Sequence, residues 1–269
     1  MSNIKVKILE RSETKLKFIV EGITPSLANA LRRTMIADVP VMAIDEVVVL
    51  ENTSVLPDEI LVHRLGLIPL KVDLETYQDV FLIEEETEFP QVRLMLDVEA
   101  TDGPMTVYSG HLKSEDPHVV PAYHNIPIVK LERGQKVVLE AFARFGKGKE
   151  HAKWQPVSAC AYKYMPIINI NREKCDCCGA CVNECPKGVL EISNDELIVK
   201  DLLKCTTCRA CELVCPQGAI KISWDDTIFI FNIETTGSLP PEEVVKKAID
   251  IMVRKSEVFK EKVRSIKGE

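Results

Sequence analysis

Ile4, Val6 and Ile8 alternate with polar residues, and Leu16 to Val20 follows across a charged turn, a period-two pattern that predicts a strand pair. The period then changes. Leu27, Leu31 and Met35 recur every four residues with Ala28, Ala30 and Ala37 around them, which predicts a helix with one small, apolar face. Thr24 offers an N-cap oxygen, Pro25 suits the first helical position, and Pro40 stops the helix by Val39. Asn29, Arg32 and Arg33 project from its other faces. Val41 to Leu50 is rich in β-branched residues and predicts one or two strands. A short helix, Asp58 to Leu65, opens after Pro57 with acids where the helix dipole favours them and stops at Gly66. From there to Gly146 the pattern is mostly strand. Val92, Leu94, Leu96 and Val98 alternate cleanly, Ile126 to Leu131 and Val137 to Phe145 are further apolar runs, and the acidic Glu84 to Glu88 reads as a solvated loop. Val157 to Tyr164 and Thr227 to Glu234 predict two more strands.

The last helix begins after Ser238-Leu-Pro-Pro, with Glu242 and Glu243 in its first turn, and runs to about Ile266. At about 1.5 Å per residue it is roughly 37 Å long. Val245, Ile249, Met252, Phe259, Val263 and Ile266 follow steps of four and three, with Ser256 the non-apolar position in that register. This is a coiled-coil-like seam. Burial against its own domain is the alternative, but so long a helix on so small a domain has few places to bury itself, so a partner helix is expected.

Ten cysteines add chemistry to this pattern. Eight form the run C-x2-C-x2-C-x3-C-P twice, as Cys175, Cys178, Cys181, Cys185 and, 30 positions on, Cys205, Cys208, Cys211, Cys215. Pro186/Pro216, Gly188/Gly218, Leu190/Ile220, Ile192/Ile222 and Ser193/Ser223 recur at the same offset, so the segment is an internal duplication. Each half is expected to give a cysteine loop, a short helix after the proline, and a strand ending near Ser193 or Ser223. The run is that of bacterial-type ferredoxins, whose soft thiolates hold iron-sulfur clusters and whose fourth cysteine serves the other cluster. The expected sets are Cys175, Cys178, Cys181 with Cys215, and Cys205, Cys208, Cys211 with Cys185, each on a [4Fe-4S] cluster. Zinc knuckles fit two such runs poorly, and disulfides are disfavoured in a chain read as cytoplasmic. Cys160 is expected to be a small buried apolar residue and Cys177 a bystander beside a ligand. Because strand pattern resumes at Thr227, the cysteine module reads as inserted into a host fold.

Composition narrows the rest. The chain has 269 residues, 46% of them hydrophobic, and a net charge of -7, which argues against a broad basic face gripping nucleic acid. The start has no apolar core of the length a secretory signal needs, and no apolar run reaches the roughly 18 residues of a membrane span. A cytoplasmic protein is expected, with no membrane association. No catalytic constellation emerges: His63 reads as a packing or capping residue, His111, His118, His124 and His151 lack metal spacing, and Gly146-Lys-Gly-Lys is too short for a phosphate loop.

Asn29-Ala-Leu-Arg-Arg33, Val39-Pro-Val-Met-Ala-Ile-Asp45 and Asp58-Glu-Ile-Leu-Val-His-Arg-Leu-Gly-Leu-Ile-Pro-Leu70 closely resemble the D-subunit family of archaeal RNA polymerases, related to the third-largest subunit of eukaryotic RNA polymerase II and to the bacterial alpha subunit. The resemblance covers essentially the whole chain. It implies an α+β fold: an alpha-subunit-like dimerisation domain (1–39, 155–166, 227–269), an inserted mostly-β lobe (40–154) and an inserted ferredoxin-like domain (167–226). It implies a non-catalytic platform that pairs with subunit L, on which the large catalytic subunits assemble, with DNA met only through the complex. The partner interface carried over is Leu27, Leu31 and Met35 with Val245, Ile249, Met252, Phe259, Val263 and Ile266, and Arg32 and Arg33 are candidate contacts to a large subunit. Relatives often lack part of the cysteine set, whereas all eight positions are present here, so two clusters are expected. These would fold a docking lobe and make assembly redox-sensitive. The competing function is a ferredoxin-like electron-transfer subunit of an oxidoreductase, for which the host sequence offers neither a flavin site nor a nicotinamide fingerprint.

Overall fold

The computed structural model describes residues 4–73, 75–77 and 90–266, and the acidic run at 84–88 lies outside them. The expected strand pair forms as β1 (Lys5–Arg11) and β2 (Lys15–Glu21). Helix α1 (Pro25–Ala37) follows, with the Leu27 amide donating to Thr24 Oγ1 at 3.3 Å, so the N-cap satisfies an amide that has no partner within the helix. Next come β3 (Val41–Asn52), α2 (Asp58–Gly66) and β4 (Leu70–Val72). The mostly-strand stretch resolves into β5 (Gln91–Glu99), β6 (Met105–Tyr108), β7 (Lys113–Ser114), β8 (Val119–Pro121), β9 (Pro127–Leu131) and β10 (Lys136–Gly146). After β11 (Val157–Ile170) the cysteine module supplies α3 (Ala180–Glu184), β12 (Leu190–Ser193), β13 (Glu196–Val199) and α4 (Ala210–Val214). The chain closes with β14 (Ile220–Thr235) and α5 (Pro241–Ile266). No helix among the described residues is long and apolar enough to cross a membrane.

The chain divides into two compact units. One takes in residues up to Leu9, Lys17–Ala28 and Ala161–Asn232, and the other Glu10–Leu16, Asn29–Cys160 and Ile233 onward. In the second, β10 is the central strand of a sheet in the order β3-β10-β5-β7, antiparallel to both β3 and β5. Its alternate residues Val137, Leu139, Ala141, Ala143 and Phe145 are buried, and Leu61 and Leu65 of α2 join the same core. Period-two burial on the strands and the four-residue step on α2 therefore meet in one apolar layer.

The remaining large sheet has the order β1-β2-β14-β11. Here the structure revises the sequence reading. Thr227 to Glu234 is not a separate strand but the second half of β14, which begins at Ile220, and β11 runs on from Tyr164 to Ile170. The cysteine segment thus leaves and re-enters the fold on strands that are neighbours in the sheet. Around it, Phe18 stacks on Phe231 at 5.1 Å between centroids and Tyr162 packs edge-on to Phe229 at 5.5 Å. A second revision concerns the short helices. They precede the prolines, since α3 carries Cys181 and α4 carries Cys211, and each ends at the fourth cysteine of its run. Pro186 and Pro216 lack an amide donor and follow the helix end, where a proline is tolerated.

Candidate metal centre and partner face

The duplication seen in sequence is repeated in the backbone. Cys177 (φ 57°) matches Thr207 (φ 55°), Gly179 (φ 79°) matches Arg209 (φ 62°), and Gly188 (φ 56°) matches Gly218 (φ 57°). These left-handed turns curl each loop so that its cysteines point inward. Glycine takes that conformation freely, whereas at Arg209 it costs roughly 1 kcal/mol.

Two cavities result. One, with about 310 Å³ of atom-free space, is lined by Cys175, Cys178, Cys181 and Cys215. The other, with about 360 Å³, is lined by Cys185, Cys205, Cys208 and Cys211. Each cavity gathers three thiols from one loop and the fourth from the other half, the crossed grouping that the spacing suggested. Backbone amides point at three of the sulfurs: Val189 N to Cys185 Sγ (3.4 Å), Thr207 N to Cys205 Sγ (3.4 Å) and Ala219 N to Cys215 Sγ (3.3 Å). Burial, followed by the neighbouring Cys185, Cys205 and Cys208, pushes the Cys211 thiol up to about 11. Cys181 is raised in the same way, by burial and then by Cys215, Cys175 and Cys178. Four thiols gathered in each cavity, one walled by Leu197 and Ile220 and the other by Leu190 and Ile222, form a donor set suited to a cationic centre. Among the described residues, no three His, Cys, Asp or Glu side chains converge on one point for a single ion. Thiols spread around a cavity instead fit a polynuclear cluster, in which each sulfur meets its own iron.

Cys177 lines the first cavity, but its Sγ donates to Asp195 O at 3.1 Å, tying the loop to the turn between β12 and β13. Cys160 is half-buried, with its Sγ 3.9 Å from Arg32 O, and burial pushes its thiol up to about 11.

Of the expected interface residues, the structure brings some to the surface and withdraws others. On α5, Pro241, Val244 and Ala248 are buried, Val245 and Met252 are half-buried, and Ile249 (47% exposed), Phe259 (69%), Val263 (40%) and Ile266 (75%) lie open. Of the three expected on α1, Leu27 is open, whereas Leu31 and Met35 pack into the chain's own core, which corrects their assignment to a partner face. Their four-residue spacing marks an apolar stripe, and a stripe does not say which side covers it. Arg32 is half-buried, with Nε and Nη2 both donating to Asn29 Oδ1 at 3.3 and 3.1 Å, while Arg33 is exposed.

One polar cluster escaped the sequence reading. Asp45 accepts from Arg144 Nε at 2.7 Å and from Lys153 Nζ at 2.5 Å, and both cations lie over the Trp154 ring, at 4.4 and 4.3 Å from its centroid. Burial pushes the Asp45 carboxyl up, but the hydrogen bonds from Lys153 and Arg144 outweigh it and hold the group below the usual carboxylate range. A Cβ on Gly146 would stand 2.4 Å from the Trp154 ring, so only glycine lets the ring lie there. Three separate segments supply these residues, which leaves no local motif to find.

A family profile described as the RNA polymerase Rpb3/Rpb11 dimerisation domain matches residues 17–256. The chain is 44% identical to DNA-directed RNA polymerase subunit Rpo3 of Archaeoglobus fulgidus, over 97% of this chain and 98% of that one. The chain belongs to the archaeal RNA polymerase subunit Rpo3 family. The Rpo3 of Methanosarcina acetivorans is 43% identical over 94% of this chain and 96% of its own, and that of Pyrococcus horikoshii 38% over 98% and 100%. These matches run nearly end to end.

Proposed function

We propose that this chain is the non-catalytic platform subunit of an archaeal DNA-dependent RNA polymerase. It pairs with subunit L through the exposed stripe of α5 and Leu27 of α1, and the pair nucleates assembly of the large catalytic subunits, with Arg32 and Arg33 as contacts to one of them. DNA is met only through the complex. The observation that carries this reading is the open apolar stripe from Ile249 to Ile266 on a helix of a chain whose full-length relatives are polymerase subunits. Those full-length relatives also weigh against an electron-transfer subunit of an oxidoreductase.

Cys175, Cys178, Cys181 and Cys215 would hold one [4Fe-4S] cluster, and Cys185, Cys205, Cys208 and Cys211 a second. When bound, such a cluster supplies iron that neutralises four thiolates and can accept one electron. The chain's own part is to orient the sulfurs with left-handed loop residues, donate N–H bonds to three of them, and exclude water with Ile168, Leu190, Ile220 and Ile222. The apolar core of the module is small and includes Cys181 and Cys211 themselves, so metal binding and folding of this lobe are coupled. Assembly of the polymerase thereby becomes sensitive to oxidation or iron supply.

Co-expression with a subunit L homologue should give a stable one-to-one complex, and a chain that stays monomeric at micromolar concentration beside L would sink the platform reading. Anaerobic purification of that heterodimer should yield about eight irons per chain, two cubanes' worth. About four would rule out the second cluster.

A further inference from the structure

The two thiol-lined cavities share a backbone but differ in their charges, at positions that the duplication allows to be compared one by one. Asp176 in the first loop is replaced by Thr206 in the second, Gly179 by Arg209, and Gln217, which follows the Cys215 of the first set, corresponds to Lys187, which follows the Cys185 of the second. Arg209 and Lys187 line the second cavity and Asp176 lines the first, where no lining residue among those described is basic. One cation has no counterpart. Lys163 of β11 is half-buried, and its Nζ donates to Leu203 O at 2.6 Å and to Cys205 O at 2.7 Å, which sets an ammonium against the backbone of a second-set ligand. Burial lowers the Lys163 pKa, helped by the cations Lys17 and Lys187 and opposed by Cys205 and Asp201, and the two carbonyl acceptors hold its ammonium in place. Arg209 Nε lies 3.9 Å from Glu212 with its guanidinium 5.9 Å from the Trp224 ring centroid. Arg209 and Lys187 are exposed and therefore screened, so Lys163 carries most of the effect.

One further feature points the same way: the second set receives N–H bonds on two sulfurs, Cys185 and Cys205, and the first on one, Cys215. Burial acts in the opposite sense, since Cys205 is buried where its counterpart Cys175 is half-buried and a low dielectric disfavours the more negative form, so the order rests on the charges and the N–H donors. Positive charge and N–H donors favour the more negative, reduced form of an iron-sulfur centre.

Resting on the cluster reading above, we infer that the two sites are electrically inequivalent. The set Cys185, Cys205, Cys208, Cys211 is the higher-potential site, made so chiefly by Lys163 and secondarily by Arg209, and the set beside Asp176 is the lower-potential one. Lys163 is a positioning residue for charge and is not a ligand.

The test is an anaerobic dithionite titration of the full chain reconstituted with iron and sulfide, followed by EPR. One dithionite, oxidised to two sulfites, delivers the two electrons that reduce both centres. Cys178→Ser and Cys208→Ser assign each midpoint to a site. Two midpoints are expected, with the higher lost in Cys208→Ser. Lys163→Gln should lower only that midpoint, by about a tenfold fall in the reduction equilibrium constant, about 59 mV for one electron, and Lys163→Arg should restore it. Arg209→Gly, which borrows the residue of the other half and relieves a left-handed arginine, should shift the same midpoint less, and Asp176→Asn should raise the other. If Lys163→Gln fails to fold, these two variants decide the question. Eight irons with a shared midpoint, a reversed order, or equal shifts at both sites would overturn the inference while leaving the clusters standing. A chain that takes up no iron would overturn the cluster reading and the inference with it.

Discussion

At the scale of single residues, the Asp45 cluster and Gly146 make the sharpest predictions. Asp45→Asn removes a carboxylate that neutralises Arg144 and Lys153 in a partly buried site, and hydrogen bonds to charged groups contribute about 2 kcal/mol. Urea unfolding at pH 7 should show a loss of that order. Because the folded carboxyl titrates below its ordinary value, its contribution is present above about pH 4 and disappears as pH falls through the folded value, so wild type and variant should converge in acid. A gap that persists at low pH would mean the network acts through packing alone. Gly146→Ala drives a methyl into the Trp154 ring, over which two cations lie, and should cost about 2 kcal/mol, with altered tryptophan fluorescence as a second readout. Neither residue advertised itself in sequence. The cysteines did, because their spacing is local: three thiols at x2 spacing share one loop whatever the rest of the chain does.

At the scale of elements, α5 is where periodicity and packing can be told apart. Its stripe at steps of four and three was legible, as were Glu242 and Glu243 in its first turn and its extent to Ile266, and the helix takes in Pro241 one residue before the expected start. Phe259→Asp, at a position 69% exposed, should leave the fold and its melting temperature unchanged and weaken binding to subunit L by about 2 kcal/mol, roughly thirtyfold, in calorimetry. Ala248→Asp, one helix face away and fully buried, should instead destabilise the chain itself. If Phe259→Asp bound subunit L normally, the outer half of α5 would not be the interface. Helix α1 shows what periodicity leaves open, since Leu31 and Met35 have the same spacing as an interface stripe and are core. The short helices α3 and α4 differ from expectation for a related reason: five-residue elements leave no period to read, and the prolines looked like starts when they are stops.

At the scale of the whole molecule, the cysteine segment joins neighbouring strands β11 and β14, so its loss need not open the sheet order around it. Cys205→Ser and Cys208→Ser are expected to lower iron content and recruitment of the large subunits while subunit L binding stays nearly intact; loss of subunit L binding in pull-downs would contradict that separation. Treating the loaded chain with a chelator should accelerate amide exchange in β12 and β13, and leave β3, β10 and β5 as protected as before, because the latter draw on an apolar core that contains no cysteine. The sequence by itself determined the family through its long local motifs, the type and order of most elements through their periods, and the eight ligand-type cysteines through their spacing. All of these are properties of neighbours along the chain. Tertiary structure decided which stripes are core and which are surface, where β11 and β14 end, that Asp45, Arg144, Lys153 and Trp154 meet, and that Lys163 stands against Cys205. Those depend on contacts between distant segments, and pattern along a chain carries no information about which distant cation a fold will place beside which thiol.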